Sequence, residues 1–520
     1  MNGLRLRKDT IALIAVCLAA LMVGLEISSV PTILPTLETV LHTGLKQVQW
    51  IMNAYTIACT TVLMATGTLA DRFGRKRVFL VSIVLFGVTS LVCGLARTAA
   101  VLIVSRFLQG MGGGAMLICL IAILTHQFRD AKERSRAFGW WGTVFGFGLG
   151  FGPLVGGIIV ALSSWQWVFL VHVAIAAVTL ALAIFGVQES RDPQAKRLDL
   201  AGIVLLSAAI LGLTCFITQG PGLGFTSLSA LAILGGSVLS LLLFVVAELM
   251  QVHPMFDFSV FRVRDFSGAI LGSIGMNFSF WPFMIYLPLY FQTGLQYGSV
   301  AAGSSLLAYT LPTLVVPPFA ERLALRYRPG IVIPVGLFAI GAGFFMMAYS
   351  SCGPHASWLT MLPGSLLSGA GLGLTNTPVT NTTTGAVPVT RAGMATGIDM
   401  SARLITLAVN IAMMGFLLVE GISAYLKQAL SERLSAAQLS SLAETIAGGE
   451  TKSAAYQTYA LSTSQSDIFH AAFLHGFRLV MLYGGVGVLI LAIASLVTFH
   501  KPTNSALAKA ATLEKECVNS

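Results

Sequence analysis

The stretch Gly67-Thr-Leu-Ala-Asp71-Arg72-Phe-Gly74-Arg75-Lys76-Arg77 decides the fold. It sets one acid and four basic side chains between two apolar runs, 48–70 and 78–96, with Gly74 permitting a tight turn. A charge at the centre of a bilayer costs about 2.5–3.5 kcal/mol even on the lenient insertion scale, so such a cluster ends one membrane span and begins the next. The pattern returns 250 residues later: Pro317-Pro-Phe-Ala-Glu-Arg322 aligns Ala320, Glu321 and Arg322 with Ala70, Asp71 and Arg72. Chance similarity of two acid–Arg loop entries competes with an internal repeat as the explanation.

Working outward, the chain has 520 residues, of which 56% are apolar and only 10% charged. Mean hydropathy is +0.83. A soluble domain carries about 25% charged residues, so a soluble enzyme, a disordered chain and a nucleic-acid-binding domain are all excluded by composition. Apolar stretches predict fourteen helices, near 11–35, 48–70, 78–96, 99–124, 137–161, 166–187, 200–219, 228–249, 266–291, 299–320, 330–350, 357–380, 393–419 and 474–499. Arg5, Arg7 and Lys8 precede an apolar run as in a signal peptide, but that run continues past Pro31 and reads as a retained first span. Seven cysteines show no C-x-x-C spacing and imply neither a disulfide framework nor a metal site.

An even count places both termini on one side. With the N-terminus inside, five of the 31 Lys and Arg residues fall outside (Lys46, Arg97, Lys427, Arg433, Lys452) and three fall within spans (Arg106, Arg403, Arg478). The rest lie on the cytoplasmic side, as the positive-inside rule requires. That asymmetry accounts for the net charge of +10 without a nucleic acid or acidic substrate. The long segment 420–473 is expected outside. Leu426, Leu430, Leu434 and Ala437 predict a short helix capping the outer mouth there, or a docking surface for a periplasmic adaptor protein.

The residues carry a family resemblance. Gly67–Arg77, Arg106-Phe-Leu-Gln109-Gly110-Met-Gly112, Gly148-x-x-x-Gly152-Pro153-x-x-Gly156-Gly157 and Leu25-Glu26-Ile-Ser-Ser-Val-Pro31-x-x-x-Pro35 resemble motifs of the major facilitator superfamily, specifically its fourteen-helix drug:proton antiporter branch. Weaker echoes are Leu287-Pro288-Leu-Tyr290-Phe-Gln292 and Arg391-Ala-Gly393-Met-Ala-x-Gly397. The resemblance implies an all-α polytopic membrane protein of major-facilitator fold. Two six-helix bundles (1–187 and 266–500) would flank two inserted helices (188–265), with a cytoplasmic tail at 501–520. It also implies that Asp71, Arg72, Arg75 and Lys76 form ion pairs that hold the outward-open state and break on switching. Glu26 stands where the branch usually has Asp, and Asp399 where a neutral residue is usual.

Only two acids, Glu26 and Asp399, lie well inside spans. Glu26 is about 22 Å from the inner end of its helix and Arg106 about 10 Å below the outer end of its own, at 1.5 Å per residue. The two share a depth and are expected to interact, directly or through water. Burial disfavours the charged carboxylate and a guanidinium favours it, so Glu26 can exchange a proton for substrate; a purely structural ion pair is the alternative. Asp399 and Arg403 are four apart on one helix face, which reads as an internal pair or as a second coupling or substrate site. His126 and His172 read as packed or interfacial side chains.

Candidate substrate contacts are Asn53, Tyr55, Asn277, Trp281, Tyr286, Arg403 and Asp399. The aromatic helix 266–291, with Pro282 and Pro288, reads as core or interfacial belt, or alternatively as a broken helix that would suit a bulky amphipathic substrate. Small residues four apart in 137–161, with Pro153, predict a close helix interface that could slide: Gly148, Gly152, Gly156 and Gly157. The expected function is proton-coupled antiport that exports amphipathic organic compounds, as multidrug efflux of the antibiotic-resistance kind, by alternating access. Its site is a multi-pass protein of a bacterial cytoplasmic membrane, with small-molecule substrate, protons and lipid as partners, and no cofactor beyond the proton gradient. Alternatives are an exporter dedicated to one metabolite such as a siderophore or other carboxylate, and a non-transporting receptor or scaffold on the same fold. No nucleophile–base pair, metal motif or phosphate loop suggests an enzyme.

Overall fold

The computed structural model describes residues 2–41, 43–128, 130–191, 200–250, 258–351, 356–387, 392–430, 434–448 and 463–500. Among these residues there is no strand. The helices are α1 (Asn2–Leu41), α2 (Leu45–Phe73), α3 (Arg75–Leu95), α4 (Ala99–Gln127), α5 (Ala131–Leu162), α6 (Gln166–Gly186), α7 (Leu200–Leu223) and α8 (Leu228–Met250). They continue with α9 (Arg264–Leu289), α10 (Ser299–Thr310), α11 (Pro312–Val315), α12 (Pro317–Tyr327), α13 (Pro329–Ser350), α14 (Trp358–Gly385), α15 (Ala392–Leu430), α16 (Ala436–Gly448) and α17 (Thr463–His500).

Every expected span is helical, but the expected count of fourteen crossings is not reached. Among the described residues eleven helices are long and apolar enough to cross a membrane, or twelve if the bent pair Ser299–Val315 and Pro317–Tyr327 is one span. The two further long helices are α2, part of which lies outside the described residues, and α14. Each is about 42 Å long at 1.5 Å per residue. They carry inward polar side chains, such as Gln49, Asn53 and Thr56 on α2 and Ser368, Thr375 and Thr383 on α14, all buried.

Helix ends also differ from the sequence reading. α15 continues to Leu430, so Leu426 and Leu430 belong to it, and the separate outer helix α16 begins only at Ala436. The side chain of Ala437 and the tail 501–520 lie outside the described residues. Once started, a helix keeps its backbone hydrogen-bonded beyond the apolar window, which is why the sequence windows come out short. α9 is not broken: it runs through Pro282 and Pro288 and widens into a π turn at Tyr290–Gly294. The break falls instead in the next span, where Pro312 and Pro317 each begin a new helical segment and the axis turns by 45°.

α1 packs on α5 and α6, α2 on α4, and α3 on α4 and α6. In the second half α13 packs on α14 and α17, and α17 on α9 and α15. α7 and α8 lie together, with α7 also against α2 and α15. The two groups meet along α2–α15, α5–α10 and α1–α9.

The contact between the groups is tight at one end and open at the other. On the face carrying Lys46, one apolar cluster joins Ile33, Leu37 and Ile51 to Phe283, Leu287, Met414 and Leu418. On the face carrying Gly74 the cores are separate: Val16, Phe79 and Leu120 in one, Phe266, Ala395 and Ile398 in the other, with Leu404 of α15 reaching the first. The α5–α10 pair spreads in the same direction. A Cβ added at Gly157 would lie 2.5 Å from the Ser299 carbonyl oxygen, and one at Gly303 2.6 Å from that of Pro153. Farther along α5 the Leu314 side chain still reaches Gly146, but Gly142 and Gly139 have nothing within 4 Å of such an atom. Gly67 of α2 and Gly385 of α14 also face open space, so a cleft opens toward the Gly74 face.

Candidate functional site

The site grows from Glu26, which α1 carries into the interior at full burial. α4 runs alongside and places Arg106, also fully buried, so that Nη1 donates to Glu26 Oε1. The contact inferred from depth is therefore direct. The guanidinium is held from several sides. Nη1 also donates to Gln109 Oε1 at 2.7 Å, one turn along α4, and Nε donates to the Ile51 carbonyl of α2 at 3.2 Å. Gln109 is in turn fixed by donating Nε2 to Ser90 Oγ of α3 at 2.9 Å. The Tyr55 ring lies 4.4 Å from the guanidinium carbon, a cation–π contact strengthened by the absence of water.

Glycines let these helices come close. A Cβ at Gly110 would run into the Tyr55 backbone, and one at Gly113 would lie 2.5 Å from the Tyr55 hydroxyl. Asn53 is buried near the same depth of α2, and neither its amide nitrogen nor its oxygen has a hydrogen-bond partner. Sequence reasoning missed His172. α6 brings its Nδ1 to 3.5 Å from Glu26 Oε2. A lone His on an apolar helix gives no sign of which neighbour it faces, so its sequence carried no signal of this contact.

Asp399 and Arg403 make a second, differently built pair. Arg403 Nη2 approaches Asp399 Oδ2 at 2.9 Å, and Nε donates to Oδ1 at 3.2 Å. Ser273 of α9 donates to the same carboxylate. The remaining donors of Arg403 are taken by α14: Nη1 by Asn376 Oδ1 at 2.6 Å and Nη2 by Thr380 Oγ1 at 3.0 Å. This geometry is that of an internal pair. Asn277 donates to the Ser273 carbonyl at 2.9 Å, close to this network rather than to Glu26.

The aromatic residues of α9 are mostly core. Phe283 packs on Tyr309, Phe344 and Phe477, and Trp281 is half-buried against Phe280. Tyr286 ties the two groups together: its hydroxyl donates to the Ile411 carbonyl of α15 at 2.5 Å and accepts from Gln49 Nε2 of α2 at 3.4 Å.

At the Gly74 face the basic loop has a partner that sequence reasoning also missed, Glu189. Gly74 has φ +110°, a conformation suited to glycine, and an added Cβ would meet the Glu189 carboxyl at 2.6 Å. The Lys76 backbone N–H donates to Glu189 Oε1 at 3.1 Å, the Arg75 N–H to the Ser190 carbonyl at 3.0 Å, and Arg77 Nε lies 3.8 Å from Glu189 Oε2. The carboxylate thus sits on the N-terminus of α3, where the helix dipole favours it. Lys76 Nζ donates to the Ile184 carbonyl at 2.6 Å. Arg72 is exposed, and the side chain of Asp71 lies outside the described residues.

The glycine ridge divides in two. Gly148, Gly152 and Gly156 face α1, where added Cβ atoms would crowd Leu21, Ser28 and Ser29. Ser28 Oγ donates to the Gly148 carbonyl at 2.9 Å across this contact. Only Gly157 and Pro153 of the predicted set meet α10 in the other half, beside the Thr310 hydroxyl that donates to the Gly150 carbonyl at 2.6 Å.

Residues 16–410 match the family model for the Major Facilitator Superfamily. The chain is 31% identical over 421 residues to the multidrug resistance protein Stp of Mycobacterium tuberculosis, covering 81% of this chain and 78% of that protein. It is 28% identical over 495 residues to the tetracenomycin C resistance and export protein of Streptomyces glaucescens, covering 94% and 91%. Among solved structures it resembles a bacterial homolog of the human lysosomal transporter Spinster, with a TM-score of 0.64 at 15% identity, over 94% of this chain and 97% of that one. That likeness shows the fold. With a family match over most of its length and the helical architecture above, the chain belongs to the major facilitator superfamily of membrane transporters.

Proposed function

We propose that this protein exports amphipathic organic compounds from a bacterial cell, exchanging them for inward-moving protons by alternating access. The observation that carries the reading is the Glu26–Arg106 pair, an acid and a base buried together inside the transport half that bears the family motifs. A buried carboxylate paired to one cation can be neutralised by one proton, after which the pair loosens and its surroundings can rearrange. Asn53, with both amide atoms unmatched, and the Tyr55 ring lie where a substrate entering beside the pair would meet them. The relatives' names, multidrug resistance and antibiotic export, supply the substrate class.

The basic residues gathered at the Gly74 face make that face cytoplasmic under the positive-inside rule. Both termini are then cytoplasmic, α2 and α14 complete fourteen crossings, and two six-helix halves flank α7 and α8. The cleft on that face makes this an inward-open arrangement, sealed outside by the shared apolar cluster. The loop's contacts to Glu189, Ser190 and Ile184 lie within the first half.

The test is export from proteoliposomes driven by an imposed pH gradient. Glu26→Gln, correctly folded, is expected to lose gradient-driven export by at least a hundred-fold, about 2.7 kcal/mol of coupling at 1.36 kcal/mol per ten-fold. A receptor or scaffold would tolerate the substitution, and unchanged coupling in Glu26→Gln would overturn the proposal.

A further inference from the structure

α6 carries one ionisable side chain, His172, and the transport reading leaves it without a task. It is as deeply buried as the ion pair, with 1% of its side chain exposed. Nδ1 lies 2.9 Å from the Val168 carbonyl oxygen and 3.5 Å from Glu26 Oε2. A carbonyl only accepts, so Nδ1 carries a hydrogen, and in the neutral ring Nε2 then holds a lone pair. Nε2 has no hydrogen-bond partner, and neither does Glu26 Oε2. The ring also makes an edge contact with Phe86, at 5.8 Å between centroids. Packing alone explains that contact but not an imidazole nitrogen 3.5 Å from a buried carboxylate oxygen.

We propose that His172 is a second proton-accepting site, coupled to Glu26, so that the transported proton is held by the carboxyl and the imidazole together. The proposal rests on Glu26 as the proton carrier. With the ring neutral, Arg106 and Glu26 leave the cluster uncharged. One proton added at Nε2 makes an imidazolium; turning its Nδ1–H from the Val168 carbonyl to Glu26 Oε2, 3.5 Å away, and transferring that hydrogen leaves a carboxylic acid and a neutral ring. Only N–H and O–H bonds change, and one proton is gained overall. The neighbouring elements add few competitors. α1 presents Glu26, α4 Arg106, α2 Tyr55 and Cys59, and α3 Cys93, while residues 137–162 of α5 contain no ionisable side chain.

The test is the pH profile of gradient-driven export from proteoliposomes, with ethidium as the exported probe. Two variants separate proton binding from packing. His172→Asn keeps a donor near the Val168 carbonyl but takes up no proton, and His172→Phe keeps the edge contact with Phe86. Both are expected to move the midpoint of the profile to lower pH by about one unit, because a cluster with one acceptor fewer fills only at roughly ten-fold higher proton concentration. A folded variant whose midpoint coincides with wild type, with only the amplitude changed, overturns the proposal. Nitrogen-15 spectra of histidine-labelled wild type give a second measurement that needs no variant. The His172 ring is expected to titrate over the pH range in which export turns on, and a ring that stays neutral through that range overturns the proposal. Wild-type export indifferent to the gradient would instead overturn the coupling reading beneath it.

Discussion

Two acid–arginine pairs lie inside this transporter, and their construction differs. Asp399 and Arg403 sit four residues apart on α15, fixed by their own helix, and every nitrogen of Arg403 is engaged by Asp399, Asn376 or Thr380. Arg403 also keeps 12% of its side chain exposed. Glu26 and Arg106 come from different helices and are fully buried, yet Glu26 Oε2, Arg106 Nη2 and His172 Nε2 lack hydrogen-bond partners. In the first pair every nitrogen of Arg403 has a hydrogen-bond acceptor, and of the carboxylate only Asp399 Oδ2, which meets Arg403 as an ion pair, has no hydrogen bond. The second is held together but left partly unmatched, as the proposed proton exchange at Glu26 would require.

Breaking the second pair should have the largest effect. Arg106→Leu leaves a buried carboxylate unpaired, and is expected to cost about 3–5 kcal/mol of stability together with coupling. Thermal unfolding in detergent measures the first part. Adding Glu26→Gln to that variant should restore much of the stability and none of the coupling; recovery of both would remove the distinction between the pairs. Next comes Asp399→Asn, which leaves Arg403 three neutral partners and a path to water. A loss of about 1–3 kcal/mol is expected, with the gradient dependence of export intact. Loss of gradient dependence there would make Asp399 a coupling residue as well. The smallest effect belongs to Thr380→Val, which removes one acceptor from Arg403: about 1 kcal/mol of stability and no change in the pH profile of export.

The sequence made both pairs legible and hid the setting of each. Span lengths and a rise per residue put Glu26 and Arg106 at one depth, and a spacing of four joined Asp399 to Arg403. Both inferences use distances along a helix, which sequence carries directly. What surrounds them depends on how helices rotate against each other, and no such information lies in an apolar run. His172, Ser273, Asn376 and Thr380 therefore entered only with the structure. Glu189 was hidden differently: it follows α6 as an ordinary loop acid, and its place on the N-terminus of α3 arises from two chain segments 113 residues apart.

The glycine motif teaches the same limit. Its spacing correctly announced close approach, but one ridge binds α1 within its own half, and only Gly157 and Pro153 touch α10. Helix count suffered from the opposite problem. The polar side chains that lower the apolarity of α14 are buried in the protein, so a scale tuned to lipid exposure undercounts a helix that faces the interior.

The closure on the Lys46 face has an electrical consequence. Its bulk is apolar, built from residues such as Ile33, Leu37, Phe283, Leu287 and Met414. A constriction of that kind dries out, and an ion crossing it would shed its hydration with nothing to replace it. A protein whose cleft is open on one side must still insulate the membrane it spans. A charged contact joins that face too, Lys46 to Glu444 at 2.9 Å, but both side chains stay partly exposed, so the buried part of the seal is the apolar one.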